Sequence, residues 1–198
     1  NPANGRLLWK TPIPGGMGDS LAIGANGSVY TTSVNPGDDP ASSPIVYALD
    51  GATGALRWTA ARFGYSRQLS SPALAPDGTI CLGSGNQRIC ALDGALGNQR
   101  WAYVLRDSVD IRSSPAIDAK GTVYLGAGTT LYALRGSDGL LLWTFPAEAT
   151  VDCPPSIGRD GSIYFGTQTY GGSRTEPRLY SVQGFAGLAA GPWPKFRG

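Results

Sequence analysis

The side chains able to do chemistry in this chain are few and dispersed. None of its 198 residues is histidine, which removes histidine-based triads, histidine metal sites and the commonest general base near neutral pH. The acids that neighbour one another fall in separate stretches: Asp38 with Asp39, Asp107 with Asp110, Glu148 with Asp152. Three cysteines are present, Cys81, Cys90 and Cys153. The remaining candidates are cations and phenols outside the apolar runs, namely Arg62, Tyr65, Arg67, Arg106, Arg112, Tyr170 and Arg174. Arginine and tyrosine are the types that anchor protein partners rather than break bonds.

The elements that carry these residues repeat. Trp9, Trp58, Trp101, Trp143 and Trp193 recur at intervals of roughly 42 to 50 residues, a period that signals one small sheet built several times over. Other columns keep the same step. Asn26-Gly27, Asp77-Gly78, Lys120-Gly121 and Asp160-Gly161 follow Ser20, Ser71, Ser114 and Pro154, and each precedes a strand-like run at 28–30, 79–81, 122–124 and 162–164. Such dipeptides predict two-residue hairpin turns. A second apolar run follows in each copy, at 46–49, 89–92, 131–134 and 179–182, and then the tryptophan strand, giving four strands per unit.

The expected fold is therefore an all-β propeller of four-stranded antiparallel blades. About four complete repeats lie near residues 20–60, 71–104, 114–145 and 154–196, with an extra N-terminal outer strand at 5–10. A lone blade would leave two apolar faces in water, so neighbours must cover them. Burying a large aromatic side chain stabilises by about 1.5–3 kcal/mol, which assigns the tryptophans and tyrosines to contacts between blades. Composition agrees: 29 glycines, 15 prolines and 15% charged residues suit a turn-rich β domain and leave little room for helix. A net charge of +2 offers no basic stripe for nucleic acid, and no apolar run is long enough to span a membrane.

Two columns hold tyrosine in three copies (Tyr30 with Tyr47, Tyr124 with Tyr132, Tyr164 with Tyr180) and cysteine in the other, Cys81 with Cys90. If the columns face each other, a cross-strand disulfide would add about 2–3 kcal/mol. The alternative is two reduced thiols filling tyrosine-sized slots. Cys153, in the place of Ser70 and Ser113, would be the odd thiol.

At the tryptophan strands the chain resembles a known family. Ala48, Asp50, Thr53, Gly54 and Trp58 are similar to the docking motif of quinoprotein-type propellers, the pyrroloquinoline-quinone (PQQ)-like repeats. Ala91, Asp93, Gly97 and Trp101 repeat it with Leu96 in the threonine place, and Ala133, Gly139 and Trp143 repeat it with Arg135 in place of the acid. The copy ending at Trp193 is longer, and Trp9 closes a copy whose beginning is missing. Physically, the glycine lets the chain turn tightly into the outer strand, the indole N–H seeks a backbone acceptor, and Asp50 and Asp93 accept N–H bonds within the turn.

The resemblance covers nearly the whole chain and implies a fold shared by alcohol dehydrogenases, outer-membrane assembly scaffolds and sensor domains. A PQQ enzyme would need calcium held by acids and amides, an aspartate base and usually adjacent cysteines. The dispersed acids and separated cysteines do not match that pattern. Residues 18–21 spell an esterase-like glycine, aspartate, serine, leucine run, but with no histidine to activate Ser20 they read as the first strand of a repeat. The expected role is a non-catalytic, cofactor-free binding or assembly module with an unidentified protein partner. The alternative is a fragment of a PQQ- and calcium-dependent dehydrogenase.

Loop lengths place the partner surface. The connections between second and third strands are long in the first and last copies and share one face of a propeller with the connections between blades. That face is expected to gather Arg62, Tyr65, Arg67, Arg106, Asp107, Asp110, Arg112, Tyr170 and Arg174. Four units plus the Trp9 strand could close as a small ring, pair with a second chain as an eight-bladed ring, or belong to a larger chain. Low charge and a disulfide option point to a periplasmic or extracellular setting; with Asn1 rather than methionine in first place, a leader or further domain is expected to precede it.

Overall fold

The structure, a computed structural model, describes residues 5–18, 20–34, 44–60, 69–106, 109, 111–171, 175–190 and 194–195. Every regular element among them is a strand, and the strands form four antiparallel sheets in chain order. The first holds β1 (Ala22–Ile23), β2 (Ser28–Thr32), β3 (Val46–Asp50) and β4 (Leu56–Ala60). The second holds β5 (Ala73–Leu74), β6 (Thr79–Ser84), β7 (Arg88–Asp93) and β8 (Gln99–Val104). The third holds β9 (Ala116–Ile117), β10 (Thr122–Ala127), β11 (Thr130–Arg135) and β12 (Leu141–Pro146). The fourth has three strands, β13 (Ser156–Ile157), β14 (Ser162–Gly166) and β15 (Leu179–Gln183). This is the blade architecture of a β-propeller.

The opening hairpin of each sheet shows why its turn residues recur. Gly27 N–H donates to Gly24 O and Gly24 N–H to Ser28 O, so the loop holds three residues rather than the two expected. The same pair of bonds recurs at 75–79, 118–122 and 158–162. A type I turn followed by a left-handed residue closes such a loop, and Gly27, Gly78, Gly121 and Gly161 supply it with φ of 74°, 80°, 78° and 85°. Asn26, Asp77 and Asp160 accept the N–H of Ser28, Thr79 and Ser162. In the third copy Lys120 occupies that place, and buried Asp118 does the work from two residues upstream, taking the N–H of Lys120 and Thr122 and the hydroxyl of Tyr124.

The outer strands carry a second shared device. Ala48 lies opposite Trp58, Ala91 opposite Trp101 and Ala133 opposite Trp143, with a register shift immediately after each alanine. A methyl group leaves room for an indole opposite, and the bulge adds local twist to the outer strand.

The core consists of three apolar clusters, each sandwiched between consecutive sheets. Tyr30, Val46 and Ala48 of the first sheet meet Ile80, Leu82 and Cys90 of the second. Cys81, Ile89 and Ala91 meet Val123, Leu125 and Leu134. Tyr124, Leu131 and Ala133 meet Ile163, Phe165 and Val182. Serines at the inner ends stitch the same order: Ser20 N–H donates to Ser71 Oγ, Ser71 N–H to Ser114 Oγ, and Ser113 Oγ to Cys153 O.

The fourth copy departs from the expected four strands. Trp193 lies outside the described residues, and among the described residues no fourth strand pairs with β15. Described residues on either side of it lie on the inner strand of the third sheet, where Leu188 pairs with Asp118, Lys195 with Ala116, and Ala189 N–H donates to Ile117 O.

Candidate functional site

The tryptophan motif resolves into a seam between copies. Trp58 Nε1–H donates to Gly94 O at 3.1 Å and Trp101 Nε1–H to Gly136 O at 2.7 Å, each reaching from one sheet into the turn of the next. Trp9 makes the same bond to Gly51 O at 2.9 Å, so the N-terminal segment lies against the first sheet as the outer strand of a preceding blade would. The motif glycine serves the incoming ring rather than its own tryptophan. A Cβ at Gly54, Gly97 or Gly139 would stand 2.5–2.6 Å from the indole of Trp9, Trp58 or Trp101.

Acids hold those turns in shape. Asp50 Oδ1 accepts from the N–H of Ala52 and Thr53, while Arg57 grips Oδ2 at 2.7 Å. The Arg57 bond, with help from Thr53, holds the Asp50 carboxyl down at about 2. Asp93 repeats the arrangement with Ala95, Leu96 and Arg100. In the third copy the polarity is reversed: Arg135 replaces the acid, and Asp138 in the turn pairs with it at 3.0 Å and caps Leu140 N–H. These groups keep a turn rigid for an indole, and Asp93 and Arg100 also line, with Asn26 and Asp77, a cleft of about 320 Å³ between the turns of the first two sheets.

Of the two readings of the cysteines, the structure supports the reduced thiols and not the disulfide. Cys81 is opposite Ala91, and Cys90 is opposite Leu82. One residue of offset sends the two thiols to opposite faces of the sheet, Cys81 against the third sheet and Cys90 against the first. No disulfide joins them; both are free and buried. The tyrosine columns share that offset, with Tyr30 opposite Ala48 and Tyr124 opposite Ala133. Burial pushes the Cys81 thiol up to about 12 and the Cys90 thiol to about 11, so both are inert apolar fillers.

On the loop face, Arg112 and Tyr170 come together from different copies. The Arg112 guanidinium sits 5.6 Å over the Tyr170 ring, and the Tyr170 hydroxyl donates to Asp152 at 2.5 Å. Two backbone bonds between Thr150 and Gln168 pin the loop that presents Tyr170. With Val109, Gly128 and Thr150 these residues line an open cleft of about 390 Å³. The Asp152 carboxylate raises the Tyr170 phenol above its ordinary value, while Arg112 opposes that shift. The cleft therefore offers a cation, a carboxylate and a half-exposed aromatic ring: a surface for polar peptide groups and a side chain to stack. Arg106 is exposed at the end of β8; Arg62, Tyr65, Arg67, Asp107, Asp110 and Arg174 lie outside the described residues. Asp152, which completes the cluster, shows in the sequence only as one of several dispersed acids.

Among the described residues no three of Cys, Asp and Glu are grouped to hold a metal ion. No helix of the described residues is long and apolar enough to cross a membrane.

Repeated four-stranded sheets joined by indole-to-turn bonds define a propeller of PQQ-like repeats. Residues 1–169 match the family described as outer membrane protein assembly factor BamB, and the chain belongs to that family. No curated protein sequence matches it. Among solved structures it is similar to BamB from Moraxella catarrhalis, with 22% identity and a TM-score of 0.64 over 81% of this chain and 46% of that one. The computationally designed Ika4 protein gives 14% identity and a TM-score of 0.67 over 90% of this chain and 99% of that one. Quinohemoprotein alcohol dehydrogenase from Comamonas testosteroni gives 17% and 0.59 over 76% and 29%. The chain thus spans about half the length of the BamB structure that it matches.

Proposed function

We propose that this chain is a non-catalytic protein-binding or assembly module that works outside the cytoplasm and engages its partner through the loop face around Arg112, Asp152 and Tyr170. The Arg112–Tyr170–Asp152 cluster carries the reading. It is a preorganised surface group, held by main-chain pairing rather than by a free loop, and it places arginine and tyrosine where an interface needs rigid anchors. Membership of a family described by an assembly factor supports the same role.

A photo-crosslinking amino acid at Tyr170, compared with one at Leu96 on the opposite turns, tests it in cells that secrete the chain to the periplasm. Defined adducts from position 170 that vanish on Arg112→Ala and are missing from position 96 are expected. Equal adducts from both positions would refute the assignment of the face. The likeness to a quinohemoprotein dehydrogenase keeps a second reading, a fragment of a PQQ- and calcium-dependent enzyme. Titration with PQQ and calcium separates the two, because a bound quinone shifts its absorbance.

A further inference from the structure

The chain fills one of the seams between its sheets with its own backbone and leaves the matching seam open. After β15, residues 185–189 run between the hairpin turns of the third and fourth sheets toward β9. Phe185 N–H donates to the Tyr124 hydroxyl at 3.1 Å. Ala119 N–H donates to Gly187 O at 2.7 Å, and Ala189 N–H to Ile117 O at 3.0 Å. Ala186 lies 3.3–3.4 Å from where a Cβ of Gly161 would stand, and a Cβ on Gly187 would come within 2.9 Å of Arg159 O. One wall of the seam therefore holds this segment by main-chain bonds, and the other restricts it to small residues.

Two copies earlier, the equivalent places line the cleft of about 320 Å³ between the turns of the first two sheets. Gly24, Ala25 and Tyr30 stand there for Asp118, Ala119 and Tyr124, and Pro76 and Gly78 for Arg159 and Gly161. Nothing lies within 4 Å of a Cβ at Gly78. The docking groups are nevertheless in place. Ala25 N–H has no acceptor among the described residues. Because Gly24 pairs with Ser28 and Ala22 with Tyr30, antiparallel alternation turns the N–H and C=O of Ile23 away from β2, as it does those of Ile117. The Tyr30 hydroxyl donates to Gly94 O and retains its capacity to accept. The seam between the second and third sheets lacks this set, since Pro76 has no N–H in the place of Ala25 and Ala119, and Cys81 replaces the tyrosine. Charge marks the open cleft as well. Asp77 and Asp93 share one guanidinium, Arg100, at 2.8 and 3.0 Å, which leaves one negative charge over, and Asp77 is the more exposed of the two acids.

We propose that the cleft between the first two sheets binds a short extended peptide with a basic residue followed by glycine, in the manner in which residues 185–189 occupy the seam between the third and fourth. The glycine carbonyl accepts from Ala25 N–H, the residue two places further on donates to Ile23 O, and the residue before the basic one donates to the Tyr30 hydroxyl. The basic side chain takes the place of Ala186, which borders Gly161; the equivalent Gly78 adjoins Asp77. Glycine is required next because a Cβ there would meet the carbonyl of Pro76 as one on Gly187 would meet that of Arg159. A peptide of a few residues is the occupant, since the walls are tight turns and the volume lies at the low end of the roughly 300–1,000 Å³ of small-ligand sites. This site is separate from the loop face and shares no residue with the Arg112–Tyr170–Asp152 cluster.

The probe is acetyl-Phe-Lys-Gly-Leu-Ala-amide, the sequence of residues 185–189 with lysine in place of alanine, titrated into the chain while the backbone amide resonances are followed by NMR. Saturable shifts at Ala25, Tyr30 and Gly78 are expected. Ala25→Pro, which the turn accommodates in the second sheet as Pro76, should weaken binding about fivefold by removing one N–H. Asp77→Asn, for which Asn26 is the precedent in the first sheet, should erase the advantage of the lysine peptide over its alanine counterpart. A peptide with alanine in place of glycine should not bind. No shifts at millimolar peptide, an affinity indifferent to Ala25→Pro, or shifts gathered around Tyr170 would overturn the proposal; a lysine advantage that survives Asp77→Asn would overturn the preference for a basic residue.

Discussion

Replacing Gly97 by alanine separates two penalties that the motif glycine combines. Gly97 has φ of 75°, and a Cβ there would lie 2.6 Å from one carbon of the Trp58 indole and 2.9 Å from another. Gly78 has nearly the same φ, 80°, with nothing within 4 Å of its Cβ. Gly78→Ala therefore meets left-handed strain alone, about 1–2 kcal/mol. Gly97→Ala meets that strain and must also displace the indole, which costs about 1–3 kcal/mol in overpacking and weakens the 3.1 Å bond to Gly94 O. The expected gap between the two variants is about 2–3 kcal/mol. For a chain of this length each kcal/mol moves Tm by about 2–4 °C, so Gly97→Ala should melt about 4–12 °C below Gly78→Ala. Thermal unfolding followed by circular dichroism measures it. In a Trp58→Ala background the gap should close, because the ring that clashes is gone. Equal melting of the two glycine variants with Trp58 in place would refute the claim that the glycine exists to receive the neighbouring indole.

Two other outcomes follow from the same seam. Asp50 is held at about 2 in the folded protein by Arg57, below its ordinary 3.8. A depressed carboxyl contributes stability that is present above the unfolded value and lost as pH falls through the folded one. Stability should therefore drop between pH about 4 and about 2, and less steeply in Asp50→Asn, as read from urea midpoints across that range. The opposed positions of Cys81 and Cys90 predict three thiols per chain on denaturation without reductant; in the folded protein these two should resist a thiol reagent. A count of one thiol would mean that the two faces are wrongly assigned.

The period was legible because every copy builds the same interface from the same few types. An indole, a glycine to receive it, an alanine opposite it and a glycine hairpin cannot be exchanged without leaving a clash or a void, so they recur visibly. Register was not legible. The tyrosine columns look paired in sequence, but loops between second and third strands differ in length, and nothing local distinguishes a direct pair from a diagonal one. One residue of offset decides between the two readings of the cysteines, since it places the thiols on opposite faces. The loop-face cluster was half legible: Arg112 and Tyr170 stood out by type, whereas Asp152 joins them only because the Thr150–Gln168 pairing folds one loop onto another.

The third copy shows how far the repeat can drift while its physics holds. Its hairpin loses the aspartate or asparagine beside the glycine, and Asp118 supplies the carboxylate from within the buried loop. Its outer turn exchanges acid for base at Arg135, and Asp138 restores the pair with opposite polarity. In both places the turn keeps a carboxylate that caps main-chain N–H groups, and the outer turn keeps its ion pair, although the residue that provides them has moved. The fourth copy crosses a different boundary. Ser181 replaces the alanine, the segment before the tryptophan is longer, and prolines stand at 192 and 194. A moved carboxylate leaves the sheet complete, whereas among the described residues β15 has no outer strand beside it, and Tyr164 and Leu179 stand exposed where their equivalents in the other sheets are buried.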